Sequence, residues 1–223
     1  MLIDYELLRS ERKSIVITIE RDGKVLVNSP LDLDENEIEK YIYKKRFWIW
    51  EKLAIKKSAT EEMYEKKFIS GESFSYLGRT YRLQIVEDNE DLKLKYGSFI
   101  LGKKKQVKAK EIFKNWYSSH LKIKIDERLE LICKNAKIDK PNFTIMELGF
   151  RWGSCTKEGS LNFNWKIAMA PISVIDYVIV HEIVHLQEHT HNEKFWKEIL
   201  KLMPNYLEKK EWLRLNGHKL DIN

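Results

Sequence analysis

The sequence predicts an α+β fold, with a β-rich N-terminal part and a helix-rich C-terminal part. Three observations carry this expectation. Short runs dense in β-branched and aromatic residues, punctuated by glycines, recur as far as Leu101. A 3.6-residue apolar period then runs from Ala109 to Ala136. Beyond it lies a helical stretch, starting near Pro171, that is apolar nearly all round and must therefore be buried.

The elements follow in order. Residues 14–19 and 25–27 flank Asp22-Gly23, a dipeptide that favours a tight hairpin turn, and Pro30 ends the second run. Residues 34–56 read as a helix, with Asp34 as cap, Glu37 three residues on, and Ile38, Ile42, Trp48 and Leu53 on its buried stripe. The cluster Phe47-Trp48-Ile49-Trp50 is expected to be packing. From Phe68 to Leu101 short strands return, with Gly71, Gly78 and Gly97 as turns, and residues 81–86 alternate polar and apolar as a half-buried strand does. The lysine-rich stretch 103–110 reads as a solvated linker, which puts a soft boundary between regions 1–103 and 104–223. Ile112, Trp116, Leu121, Ile125, Leu129 and Ile132 share one stripe of the following helix, and Pro141 breaks the chain after it. Residues 143–146 and 161–165 read as strands, with a turn at 153–159 between them.

The 223 residues are 43% apolar, with seven Trp and nine Phe, which is enough for a core and argues against disorder. The net charge of +6 permits an acidic partner such as nucleic acid without demanding one. Cys133 and Cys155 form no CxxC pair, so neither a cysteine metal cluster nor a disulfide framework is expected. No signal peptide and no membrane-spanning run is visible, and the expectation is a cytoplasmic protein with no membrane partner.

The chemistry concentrates after Ala170. Ser173 is placed to cap the buried helix, with Asp176 supporting its first turn. Within it stands His181-Glu182-Ile183-Val184-His185. A spacing of four puts both imidazoles on one face, where they can converge on one Zn²⁺. Glu182 leaves the helix about 100° round from His181, at the edge of such a site, where a general base belongs. A catalytic zinc needs a third protein ligand, and His189 and His191 stand near. On a continuing helix His189 would lie about 12 Å along the axis from His181, too far for a tetrahedron. His191 works better, in a turn before a helix capped by Asn192 and carrying Phe195, Trp196, Ile199 and Leu200.

The chain also resembles a known family, the YgjP-like metallopeptidases, or predicted metal-dependent hydrolases. The matching residues are Arg151-Trp152-Gly153-Ser154-Cys155, Leu161-Asn162-Phe163-Asn164-Trp165, Ala170-Pro171, the stretch from Val174 to Leu186, His191-Asn192 and Phe195-Trp196. Residues 74–81 and Trp116-Tyr117 are similar as well. The resemblance implies a zincin-like core, distantly similar to SprT-like and WLM proteases. It implies His181, His185 and His191 as ligands of one zinc ion and Glu182 as the catalytic carboxylate. The glycine that metzincins carry in the turn is Glu188 here, so the turn falls to Thr190-His191-Asn192, with Asn192 expected to take an unusual backbone angle.

The expected reaction is peptide hydrolysis with Glu182 as base, and a protein or peptide as substrate. Arg151, Tyr177 and His189 are candidates to stabilise the oxyanion, although an ion pair is the plainer role for Arg151. Cys155 is expected to be a buried thiol, and Asn164 a turn or packing residue. The strand at 161–165 is expected to pair with an extended substrate. Two other readings stay open: a nucleic-acid-associated protease or binding protein using its basic surface, and a non-catalytic domain with a structural zinc.

Overall fold

The computed structural model describes residues 3–20, 23–61, 65–149 and 151–222. The chain is α+β and divides into two compact units, Met1–Tyr64 and Glu65–Asn223.

In the first unit β1 (Glu6–Ser10), β2 (Val16–Ile19) and β3 (Val25–Pro30) form a sheet of order β1-β3-β2. β2 and β3 make the expected antiparallel pair, with Gly23 at φ +90° in the turn. Asp22 lies outside the described residues. The parallel partner β1 carries no strand signal of its own and is held by pairing with β3. Helix α1 (Glu35–Glu61) begins where the Asp34 carbonyl accepts from the Glu37 and Ile38 amides. Val25, Val27, Ile38, Ile42 and Ile49 are the buried residues of this unit's core. Ile49 takes the place expected of Trp48, which is 42% exposed, and Phe47 is 67% exposed. Seven residues on from Ile42 is two turns of helix, so the stripe falls on Ile49, and these two aromatics are not core.

The second unit begins with β4 (Ser73–Tyr76), β5 (Arg79–Val86), β6 (Lys93–Lys95) and β7 (Ser98–Gly102), a sheet of order β4-β5-β7-β6. The lysine-rich stretch is no linker. Lys103–Lys108 winds as a 3-10 helix into α2 (Ala109–Ala136), with Lys103 paired to Glu87 and Lys105 to Asp91. The sheet before it and α2 after it share one core, so the compact division falls at Tyr64/Glu65 rather than at residues 103/104. Phe113 of α2 stacks on Phe74 at 4.3 Å and tilts against Phe99 at 5.2 Å. Each such buried ring contributes roughly 1.5–3 kcal/mol.

A second sheet, order β8-β10-β9, comprises β8 (Phe143–Met146), β9 (Gly153–Cys155) and β10 (Leu161–Asn164). β9 was expected to be turn. Three residues carry no alternating pattern, and what makes them a strand is antiparallel pairing with Leu161–Phe163. β10 is therefore central, flanked by β8 and β9, and has no free edge for a substrate; the outer strands are β8 and β9, and it is β9 that lines the cleft described below. Asn164 is buried, as packing predicts. Its Nδ2 donates to the Arg151 carbonyl (3.0 Å) and its Oδ1 accepts from the Lys166 amide (3.2 Å), opening a 3-10 turn, Trp165–Met169.

That turn leads to α3 (Ile172–Val184), then α4 (Glu193–Leu202) and α5 (Tyr206–Asn216). Pro171, not Ser173, stands at the cap of α3. Proline needs no amide partner there. Gly78 fixes the approach: at φ +78°, a Cβ on it would stand 2.9 Å from Pro171 Cα. Asp176 serves not the first turn but a two-pronged pair with Arg128 of α2, at 2.6 and 2.7 Å. No described helix is long and apolar enough to cross a membrane.

Candidate metal centre

α3 is buried nearly all round, and only its C-terminal end opens to a cleft. The helix stops at Val184, with His185 as its C-cap, about a turn sooner than the sequence suggests. The Gln187 and Glu188 amides then donate to the Val184 carbonyl, which starts the turn that brings His191 back. Asn192 caps α4 as expected, its Oδ1 accepting from the Phe195 amide at 2.9 Å. Its backbone is ordinary extended chain (φ −78°, ψ −176°), so the turn needs no unusual angle there. Phe195 and Ile199 of α4 are buried, while Leu200 is 50% exposed.

The result is a cluster of three imidazoles. His191 Nε2 lies 3.0 Å from His181 Nε2 and 3.2 Å from His185 Nε2. His185 Nδ1 faces the Glu188 carbonyl at 2.9 Å and donates to it, which leaves the lone pair on Nε2. His191 stacks on Trp196, and Trp196 on Tyr206, so a ladder of rings holds its plane. Burial, then His185, His191 and Lys210, pulls the His181 pKa down to about 3; burial, His185 and Lys210 also lower that of His191. His181 and His191 are therefore neutral at neutral pH.

This donor set fits a metal ion. Zn–N bonds of about 2.0–2.1 Å at tetrahedral angles put ligand nitrogens about 3.3 Å apart, close to the spacing found. Among the described residues, His181, His185 and His191 are the one group of three or more metal-ligating side chains gathered in this way. His189 is exposed and lies outside the cluster, on the cleft wall.

Glu182 lines the same cleft at the helix end, under Gly153 of β9. It is 5% exposed. Burial raises its pKa to about 7, and Arg151 pulls the other way. Gly153 makes room for it: a Cβ there would stand 2.6 Å from both Glu182 Cγ and Oε1. The cleft over these groups holds about 1000 Å³. Tyr177 lines it, edge-on to His181 at 5.9 Å between centroids, its phenol pushed up to about 12 by burial, Tyr206 and Glu182. Arg151 lines it too, exposed, and makes no ion pair among the described residues, contrary to the plainer role expected of it. Cys155 is half-buried on the same wall rather than hidden in a turn.

The sequence reading therefore named residues that the fold brings to one cleft: His181, Glu182, His185, His191, Arg151, Tyr177 and His189. It missed Gly153, Lys157, Lys210 and Arg214. Gly153 carried a usable signal, since a glycine in a strand marks a close approach. Lys210 and Arg214 did too, since a spacing of four puts them on one helical face.

No curated protein matches the chain. Among solved structures, the crystal structure of the metallopeptidase zymogen of Pyrococcus abyssi abylysin is similar over 42% of this chain and 92% of its own, with 21% identity and a TM-score of 0.38. A family model described as YgjP-like, metallopeptidase domain, matches residues 13–216, and the chain belongs to that family.

Proposed function

We propose that the chain is a zinc-dependent peptidase that uses Glu182 as its general base. The observation that carries this reading is the three converging imidazole nitrogens beside a buried carboxylate. Three imidazoles suit zinc better than magnesium or calcium, which prefer oxygen. The ion would supply a Lewis acid for the scissile carbonyl and a water made more acidic. His181, His185 and His191 would hold it.

Glu182 takes the proton of the attacking water and delivers it to the leaving amine. A carboxyl near neutrality does both, because gaining and losing the proton cost little at that pH. Tyr177 keeps its hydroxyl proton at neutral pH, and it is the donor we assign to the developing oxyanion. Arg151 acts on Glu182 instead, favouring its charged form. The free edge of β9 runs along the cleft and offers backbone partners to an extended peptide, which supports a protein or peptide substrate.

Glu182→Gln tests the reading. It should keep one zinc per chain by metal analysis and lose about 10²–10⁴-fold in kcat/KM on any peptide the wild type cleaves. Hydrolysis at the wild-type level removes Glu182 as the base. A wild type that holds zinc and cleaves nothing favours a structural ion instead.

A further inference from the structure

We infer that the cleft is built for an acidic stretch of polypeptide, held by cations from two separate segments that line it. This rests on the peptidase reading and deepens it. Arg151 precedes β9 and Lys157 follows it, so a chain laid along that strand passes both. From another segment of the lining, α5 presents Lys210 and Arg214, one turn apart. Against these four cations, Glu182 is the single carboxylate lining the cleft among the described residues.

Some surface lysines elsewhere are tied to carboxylates, among them Lys40 to Glu37, Lys114 to Glu147, Lys197 to Glu193 and Lys201 to Glu198. In the cleft only Arg214 is neutralised in this way, by Glu211 at 2.6 Å. Arg151 and Lys157 have no ion pair among the described residues, and Lys210 rests its ammonium 4.0 Å over the Trp196 ring, which leaves its charge uncancelled. A concave wall carrying one sign of charge concentrates partners of the other sign. Aspartate and glutamate side chains on either side of the scissile bond meet that requirement.

The test uses peptides of one length and one scissile core, with Glu, Gln or Lys at the three positions on each side. Binding is measured by fluorescence anisotropy to zinc-loaded Glu182→Gln protein, and cleavage with the wild type. The Glu peptide should bind about tenfold more tightly than the Gln peptide, with the gap narrowing in high salt. Lys157→Glu, in an exposed turn, and Lys210→Glu should each shrink that ratio. Equal binding of Glu and Gln peptides by a protein whose wild type cleaves both overturns the inference and leaves the peptidase reading standing. No cleavage of any peptide, with the Glu preference intact, overturns the peptidase reading alone. Loss of both cleavage and preference overturns both. Displacement of the Glu peptide by oligothymidylate at concentrations below the peptide's own Kd assigns the cleft to phosphate and overturns the inference.

Discussion

Gly153→Ala adds one methyl group to the wall that covers Glu182. Its carbon would stand 2.6 Å from Glu182 Cγ and Oε1 and 2.8 Å from Cδ. Ordinary contact begins near about 3.5 Å, so either the strand or the carboxylate must retreat by roughly 0.9 Å. Gly153 is pinned by its pairing with Phe163, and the carboxylate sits at the end of a rotatable side chain. The carboxylate is therefore what moves. A displacement near 1 Å in a catalytic group costs on the order of 10²-fold in rate. Crowding a buried site also costs about 1–3 kcal/mol of stability. The nearest atoms to the added methyl are all of Glu182 and none of the histidines, so the histidines should keep their metal. The assay is kcat/KM on the best-cleaved peptide, with zinc content and a urea melt measured on the same preparation. A folded, zinc-replete Gly153→Ala protein with wild-type turnover would refute the claim that this wall sets the base.

Two further outcomes are expected. His191→Ala should lose most of its zinc on gel filtration while His189→Ala keeps it, and the reverse pattern by metal analysis would exchange the two roles. Lys166 and Asp221 form a pair with side chains only 7% and 9% exposed, 2.5 Å apart. Lys166→Met should lower unfolding free energy by about 3–5 kcal/mol in urea, because it removes the ammonium that faces the largely buried Asp221 carboxylate; Lys166→Met with Asp221→Leu should recover much of that. A single-mutant loss under about 1 kcal/mol would show that water reaches the pair.

Much of the site was legible because it is local. His181, Glu182 and His185 sit on one helix whose apolar surround identifies it, and Asn192 announces the next helix by its own chemistry. The same logic erred where a neighbour decided the outcome. Ser173 has the right side chain for a cap, but Pro171 is seated against Gly78 and starts the helix two residues earlier. Asp176 looks like a first-turn acid until Arg128, 48 residues away, claims it. β9 has no strand pattern and exists through its partner, so the substrate edge was assigned to β10, which the sheet buries. Lys157 and Lys210 come from segments far apart in the chain, and no local window shows that they face one cleft.

The early stop of α3 also has an electrical side. Peptide dipoles aligned along a helix sum to about half an elementary negative charge at its C-terminal end. In this chain that end lies at the three histidines, since Val184 is the last helical residue and His185 the cap. The backbone itself therefore draws a dication to the spot and disfavours an anion there, before any side chain is counted. Had the helix run on through Glu188, that pole would have moved a turn away from the imidazoles, and the loop carrying His191 would have had to reach back along its side.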